Sequence, residues 1–328
     1  MVALYVTSLE RGAGKTAVCA GIGRHLLAAG RKIGFFKPIL AESMEAADSD
    51  TMFMKQIFAL EEPADSLCPV ISGGGNLSGR IKEAYGRVSP GKDMIIVEGM
   101  YERSIVEALE ARVILVEGYS GELSKAKISS YKALGEDLLG VVLNKVPKSQ
   151  MERVYGDISA QLGEAGINIL GVLPEDRILY ALTIGELAEH VQGEILNNAE
   201  KSAELAENFM LGAMVVDSGL EYFGRKANKV AVVRGGRSDM QLAALETSTR
   251  CLVLSGNTPP LPAVLARAEE KNIPIILASG DTSAIVTSIE DALDKAIFGQ
   301  PKKLSKLTEI MEQNFDFQAV YKGLGLAS

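Results

Sequence analysis

Gly14-Lys15-Thr16 stands between an apolar run, residues 2–7, and an amphipathic run beginning at Ala17. A loop that joins a strand to a helix offers backbone N–H groups and the positive helix end to an anion. Lysine there reaches terminal phosphates, and the following hydroxyl ligates Mg²⁺. Gly12, Ala13, Gly14, Lys15, Thr16 and Ala17 are therefore expected to cradle phosphate, with Thr16 on the metal. The strict spacing asks for glycine at position 9, where this chain has leucine; Ser8 is the turn residue, one place earlier. Nucleotide binding is the first expectation.

Further chemistry is expected at other strand ends. Lys37 precedes Pro38, which enforces an extended exit and aims the lysine at the loop. Its ammonium either stabilises charge during phosphoryl transfer or is a surface lysine. Asp50 either completes a Mg²⁺ site with Thr16 or favours a helix N-terminus. Glu98 ends the apolar run Met94-Ile-Ile-Val and precedes Gly99, which suits a metal-facing acid. Asn144, after Gly140-Val-Val-Leu143, reads a purine edge or starts a turn. Pro174-Glu-Asp176 is a strand-end turn near that base pocket. In the second half, Arg234-Gly-Gly-Arg237-Ser-Asp239 has the make-up of an anion-binding turn. With Ser255-Gly256 and Asp281-Thr282 at the next two strand ends, Gly236, Arg237 and Asp239 form a candidate second site; the alternative is ordinary turn chemistry.

The elements that position these residues follow from periodicity. Apolar runs at 3–7, 32–37, 94–98, 113–116, 139–144 and 169–173 predict strands. Between them, 17–29, 50–59, 105–109, 124–133 and 150–165 predict helices. Runs apolar on both faces suit a parallel sheet covered by helices, with ligands beyond the carboxyl ends of the strands. Gly73-Gly-Gly75 reads as a loop tip on the substrate side. After residue 176 a helix is predicted over 183–191, with Thr183 and Glu186 at capping-box spacing, then a helix-prone stretch over 197–208. Strands at 214–216, 229–233, 251–254 and 274–277, with helices near 218–223, 240–246, 261–271 and 282–296, predict a second, smaller α/β domain. The expected organisation is 1–178, 183–297 and a helical tail, 298–328.

Composition excludes several classes. The 328 residues include 42 acidic and 34 basic side chains, a net charge of −8, which argues against nucleic acid held by a basic surface. No run approaches a membrane span, and the opening strand leaves no room for a signal peptide, so a cytoplasmic protein without a membrane partner is expected. Three widely spaced cysteines and two histidines offer no zinc spacing and no Ser/His/Asp or Cys/His pairing.

Thr7-Ser8…Gly14-Lys15-Thr16, Phe36-Lys37-Pro38, Asp50, Val97-Glu98-Gly99, Gly140…Asn144 and Leu170-Gly-Val-Leu-Pro174 occur in the order of the dethiobiotin synthetase family, which residues 1–176 resemble. That family uses ATP and Mg²⁺ to phosphorylate a carbamate formed on a diamine. The resemblance implies that Lys15 and Lys37 meet phosphates and carbamate, as catalytic residues. It implies metal at Thr16, Asp50 and Glu98, and nucleotide contacts from Glu10 to Ala17, at Asn144 and at Pro174, in a homodimer. Glu10 replaces the family's aspartate, and Met100-Tyr-Glu-Arg103 replaces its glycine-rich substrate loop, so the diamine contacts lack support. Residues 183–297 resemble the DRTGG domain through Gly236-Arg237-Ser-Asp239, Ala243-Ala244, Leu254-Ser-Gly256 and Asp281-Thr282, with Gly236 at the aspartate of that name. The pair together resembles the N-terminal region of long phosphate acetyltransferases, without their acetyl-transfer domain.

Two readings stand. In one, an ATPase or carboxylate- or carbamate-activating ligase works at Lys15, Lys37 and Mg²⁺, with a regulatory second domain. In the other, ATP occupancy is sensed together with a small-molecule effector, without catalysis. A partition-type ATPase is disfavoured, because neither Glu10 nor Arg11 is the second loop lysine it would need.

Overall fold

Six apolar runs of the first half become one parallel sheet. A computed structural model describes residues 2–40, 48–71, 76–212, 219–294 and 298–326. Its strands are β1 (Val2–Ser8), β2 (Ile33–Phe36), β3 (Met94–Met100), β4 (Arg112–Gly118), β5 (Leu138–Val146) and β6 (Ile169–Pro174). They lie in the order β2-β3-β1-β4-β5-β6, all parallel. Ile95, Ile96 and Val97 are fully buried, as in a sheet covered on both faces. The helices are α1 (Lys15–Ala28), α2 (Ser49–Ile57), α3 (Ala64–Leu67), α4 (Leu77–Val88), α5 (Arg103–Leu109), α6 (Lys125–Lys132), α7 (Met151–Arg153) and α8 (Ser159–Glu164). Helices α3 and α4 were not among the expected elements. The helix predicted over 150–165 is interrupted by a π-helical turn, Val154–Ile158, which turns both end residues into the core beside Leu162. The run 42–47 and Gly73-Gly-Gly75 lie outside the described residues.

The second unit contains α9 (Arg177–Tyr180), β7 (Leu182–Thr183), α10 (Ile184–His190), β8 (Gly193–Ile195), β9 (Leu205–Ala206), β10 (Asn208–Gly212) and α11 (Gly219–Gly224). It continues with β11 (Lys229–Arg234), α12 (Ser238–Leu245), β12 (Thr249–Ser255), α13 (Pro262–Glu270), β13 (Ile275–Ala278) and α14 (Thr282–Asp294). The sheet runs β10-β11-β12-β13-β8, parallel except for β8 at its edge, and β7 pairs with β9. The Thr183/Glu186 capping box is present at the start of α10. Two expectations change. Residues 197–208 form a 3₁₀ turn (Ala199–Lys201) followed by strands, because Met210 enters one core while Phe209 and Leu211 pack on the other, a period of two that overrides helix propensity. The strand predicted at 214–216 lies outside the described residues, and β10 is the strand that pairs with β11.

The last helices, α15 (Leu304–Asn314) and α16 (Phe317–Leu324), are not a separate tail. Met311 lies so close to Gly21 of α1 that a Cβ there would sit 2.8 Å from its side chain. His25, in the last turn of α1, stacks on Phe317 at 3.6 Å and meets Glu312 at 2.7 Å. Phe315 bridges Gly171 of β6. The first unit is therefore Met1–Asp176 with Phe298–Ser328, and Arg177–Ile297 is an insertion into it. Both helices carry an apolar stripe at helical spacing, Leu307, Ile310 and Met311 on one and Phe317, Val320, Tyr321 and Leu324 on the other, but local spacing does not name the partner that covers it.

Candidate functional site: the phosphate loop and its acids

The β1–β3 register places Val6 beside Glu98 and Ser8 beside Met100, so the strand ends meet under the loop that follows β1. That loop enters α1 through Gly14, whose φ of 95° is left-handed and suits glycine. A Cβ on Gly14 would lie 2.1 Å from Asn144 Nδ2. Asn144, at the end of β5, donates that amide to the Ala13 carbonyl at 2.9 Å and so holds the loop from beside.

Lys15 donates to Ser8 Oγ at 3.0 Å and reaches Met100 Sδ at 3.7 Å. Burial lowers its pKa against the attraction of Glu98. Thr16, one residue on, donates its hydroxyl to Glu98 Oε1 at 2.8 Å. Glu98 is only 2% exposed, and burial pushes its carboxyl up to about 7 despite the Lys37 charge. Among the described residues, its other oxygen, Oε2, is buried without a hydrogen-bond partner, as is Asp50 Oδ1.

Lys37 lies at the centre of three carboxylates: Asp50 at 2.6 Å, Asp48 at 2.8 Å and Glu98 at 3.9 Å. Burial opposes its charge, but Glu98 and the bonds to Asp48 and Asp50 hold its ammonium above the ordinary value. Asp48 also accepts from the Thr51 N–H at 2.8 Å as the N-cap of α2. Sequence reasoning passed over Asp48; its place three residues before Thr51 is the signal that could have found it. Lys15, Thr16, Lys37, Asp50 and Glu98 are thus brought into one cluster, with Asn144 and Ala13 beside it. Glu10 points elsewhere, 3.7 Å from Lys127 Nζ, while its carbonyl accepts from Ser8 Oγ at 2.6 Å. Pro174 ends β6, three strands over from β1 and its loop.

One hydroxyl and two carboxylates with free buried oxygens are hard donors of the kind Mg²⁺ takes. Among the described residues, no group of three or more His, Cys, Asp or Glu side chains has metal-holding geometry, so an ion here would also need oxygens from its ligand and water.

In the second unit the expected loops do adjoin one another. Arg234 pairs in register with Ser255, and the Gly256 N–H donates to the Gly280 carbonyl at 2.8 Å. Their polar groups are bonded together: Arg237 with Asp239 at 2.9 Å, Ser255 with Thr282 at 2.8 Å, and Asp281 with the Ala284 N–H at 2.8 Å. Gly236 has open space where a side chain would project. Gln241, fully buried and missed by sequence reasoning, braces the loop by donating to the carbonyls of Arg234 and Gly235.

Residues 2–72 match the family described as AAA domain, and 186–292 match the DRTGG domain. The chain carries a P-loop domain and a DRTGG domain. Over 97% of its length it is 22% identical to a phosphate acetyltransferase of Pseudomonas aeruginosa, 51% of which is covered. An ATP-dependent dethiobiotin synthetase, BioD, of Brachyspira hyodysenteriae is 24% identical over 52% of this chain and 91% of that protein. The chain spans about half the length of the phosphate acetyltransferases it matches. Among solved structures, MinD from Pyrococcus horikoshii complexed with Mg-ADP is similar over 54% of this chain and 83% of that one, at 16% identity and a TM-score of 0.34. Among the described residues, no helix is long and apolar enough to cross a membrane.

Proposed function

We propose that the P-loop domain binds Mg-ATP and hydrolyses it or transfers its terminal phosphoryl group, and that the DRTGG domain regulates this in response to a small-molecule effector. The observation that carries the reading is the buried Thr16–Glu98 hydrogen bond at 2.8 Å, with a second Glu98 oxygen left without a partner beside Lys15 and Lys37. A carboxylate so placed is costly unless a cation completes it. In this reading Lys15 and Lys37 neutralise phosphate charge, and Thr16, Asp50 and Glu98 hold Mg²⁺, which offsets charge developing in the transition state. Backbone N–H groups from Gly12 to Ala17 grip the phosphates, and Asn144 and Pro174 border the base. Arg237, Asp239, Ser255 and Thr282 border the effector site. The chain would act in the cytoplasm as a homodimer, with a domain pair similar to part of the phosphate acetyltransferases.

One observation favours the second reading, a sensor without catalysis. Met100, in the segment that stands in place of the glycine-rich substrate loop of the dethiobiotin synthetase pattern, sets its thioether 3.7 Å from the Lys15 ammonium. An acceptor substrate would have to displace it.

ATP with Mg²⁺ should raise the melting temperature, and Lys15→Ala should remove the rise by deleting phosphate neutralisation. An unchanged rise in the variant would reject the site. ATP turnover against a panel of amines, diamines and carboxylates with bicarbonate then separates the two readings: acceleration by one compound selects the enzyme, flat turnover the sensor.

A further inference from the structure

Lys127, Glu117 and Glu10 form a charged chain that the nucleotide reading leaves unused. Glu117 ends the apolar run of β4, next to β1 in the sheet, and is only 4% exposed. Lys127 comes from the first turn of α6, which is capped by Ser124, and donates to Glu117 Oε1 and to Ser120 Oγ at 3.4 Å. Its ammonium also stands 3.7 Å from Glu10 Oε1, on the phosphate loop. Tyr131, one turn further along α6, is fully buried and turns its hydroxyl toward Glu117. Glu117 raises the Tyr131 pKa further, after burial, so it lies beside this pair.

The electrostatic problem is plain. Glu10 puts a negative charge in the same short loop as Lys15, where a triphosphate would bring about four more. That repulsion acts within a Debye length, roughly 8 Å at physiological salt, and so is not fully screened. Buried Glu117 adds a further negative charge on the neighbouring strand.

We propose that Lys127 is a positioning residue for nucleotide binding: anchored on Glu117, it neutralises Glu10 and holds the front of the phosphate loop open to an anionic ligand. The proposal rests on the nucleotide reading above. Glu117 fixes the ammonium from beneath, Ser120 from the side, and Glu10 is the group on which it acts. The Ser8 hydroxyl bond to the Glu10 carbonyl carries the same restraint back to β1, next to the Lys15 ammonium.

Lys127→Met alone would strand a buried carboxylate and endanger folding. The variant of choice is Lys127→Met/Glu117→Gln, compared with the same chain carrying Glu10→Gln as well, both titrated calorimetrically with ATP and Mg²⁺. The double variant should bind about three- to tenfold more weakly than wild type, as expected for one screened charge acting on several phosphate charges. Glu10→Gln should restore affinity to within about twofold, and the deficit of the double variant should shrink at high salt. A merely structural role for Lys127 would give no rescue by Glu10→Gln. Wild-type affinity in the double variant, or failure of Glu10→Gln to restore it, overturns the proposal. Absence of binding by wild type would instead reject the nucleotide reading.

Discussion

The carboxyl ends of the two sheets are built alike and finished differently. In both units, loops follow neighbouring parallel strands and carry glycine, acids and cations. At the first sheet, Glu98 Oε2 and Asp50 Oδ1 are, among the described residues, buried without hydrogen-bond partners, and Lys37 lies among three carboxylates. At the second, Arg237, Asp239, Ser255, Thr282 and Asp281 are each bonded within the cluster. Buried polar groups left open are expensive, and among the described residues the first arrangement leaves two carboxylate oxygens open, while the second leaves one neutral amide oxygen open, Gln241 Oε1. An effector at the second would have to exchange internal bonds for its own, which suits a switch better than a tight site.

Two lysines sharpen the contrast. Lys37 is surrounded by acids that raise its pKa against burial. Lys229, at the opposite end of the second sheet, is fully buried and donates only to neutral oxygens, those of Lys226, Thr247 and Ser248. Burial therefore lowers it, to about 8. The acids mark machinery; the neutral acceptors mark a structural plug.

The largest expected effect is at Gly14, where Gly14→Ala forces a side chain into the left-handed region and against Asn144. Unfolding free energy should fall by about 2 kcal/mol or more, and ATP affinity with it. Intact stability in a melt would mean that the loop relaxes and that its tight packing on Asn144 has no importance.

Next, Lys229→Met tests the plug. The folded pKa is depressed, so between about pH 8 and 10.5 the unfolded chain holds more protons, and stability rises with pH across that window. The cost of burying the charge is present in full below about pH 8. The variant should gain about 1–3 kcal/mol at pH 7 and lose the rise, as measured by denaturant unfolding from pH 7 to 10. Loss of stability instead would mean that the three hydrogen bonds outweigh the cost of burying the charge.

Thr183→Ala removes the reciprocal capping box of α10 and should cost about 1 kcal/mol. Arg237→Ala should be the mildest. Its pair with Asp239 is about one-third exposed on both sides, so the midpoint of a thermal melt should barely move and ATP affinity should be unchanged. A matching fall in ATP affinity would show that both candidate sites act as one.

Much of this was legible in residue order. Each of the six strands predicted before residue 176 is present, because runs such as Ile95-Ile-Val97 are apolar on both faces and admit few other placements. Lys15, Thr16, Lys37, Asp50 and Glu98 were candidates from their places at strand and helix ends, and the dethiobiotin synthetase resemblance is what grouped them. What escaped was long-range. Asp48 reads as one more acid until Lys37 is folded against it. Glu117 looks like an ordinary strand end until Lys127, ten residues on, arrives from α6. Residues 197–208 read as helix-prone, and only the register with β11 and two cores makes a strand begin at Asn208. The return of α15 and α16 to α1 has no local signature, since it depends on Gly21 meeting Met311 across the whole inserted unit.

The central claim is that a triphosphate and a divalent cation complete the buried acids beneath the first phosphate loop. A calorimetric titration of ATP into the full chain, with and without Mg²⁺, against Glu98→Gln tests it directly. The account predicts one site per chain in the wild type, at least tenfold tighter with Mg²⁺, and loss of that metal dependence in the variant, a difference of about 1.4 kcal/mol or more. No heat with wild type, or equal metal dependence in both proteins, would contradict it.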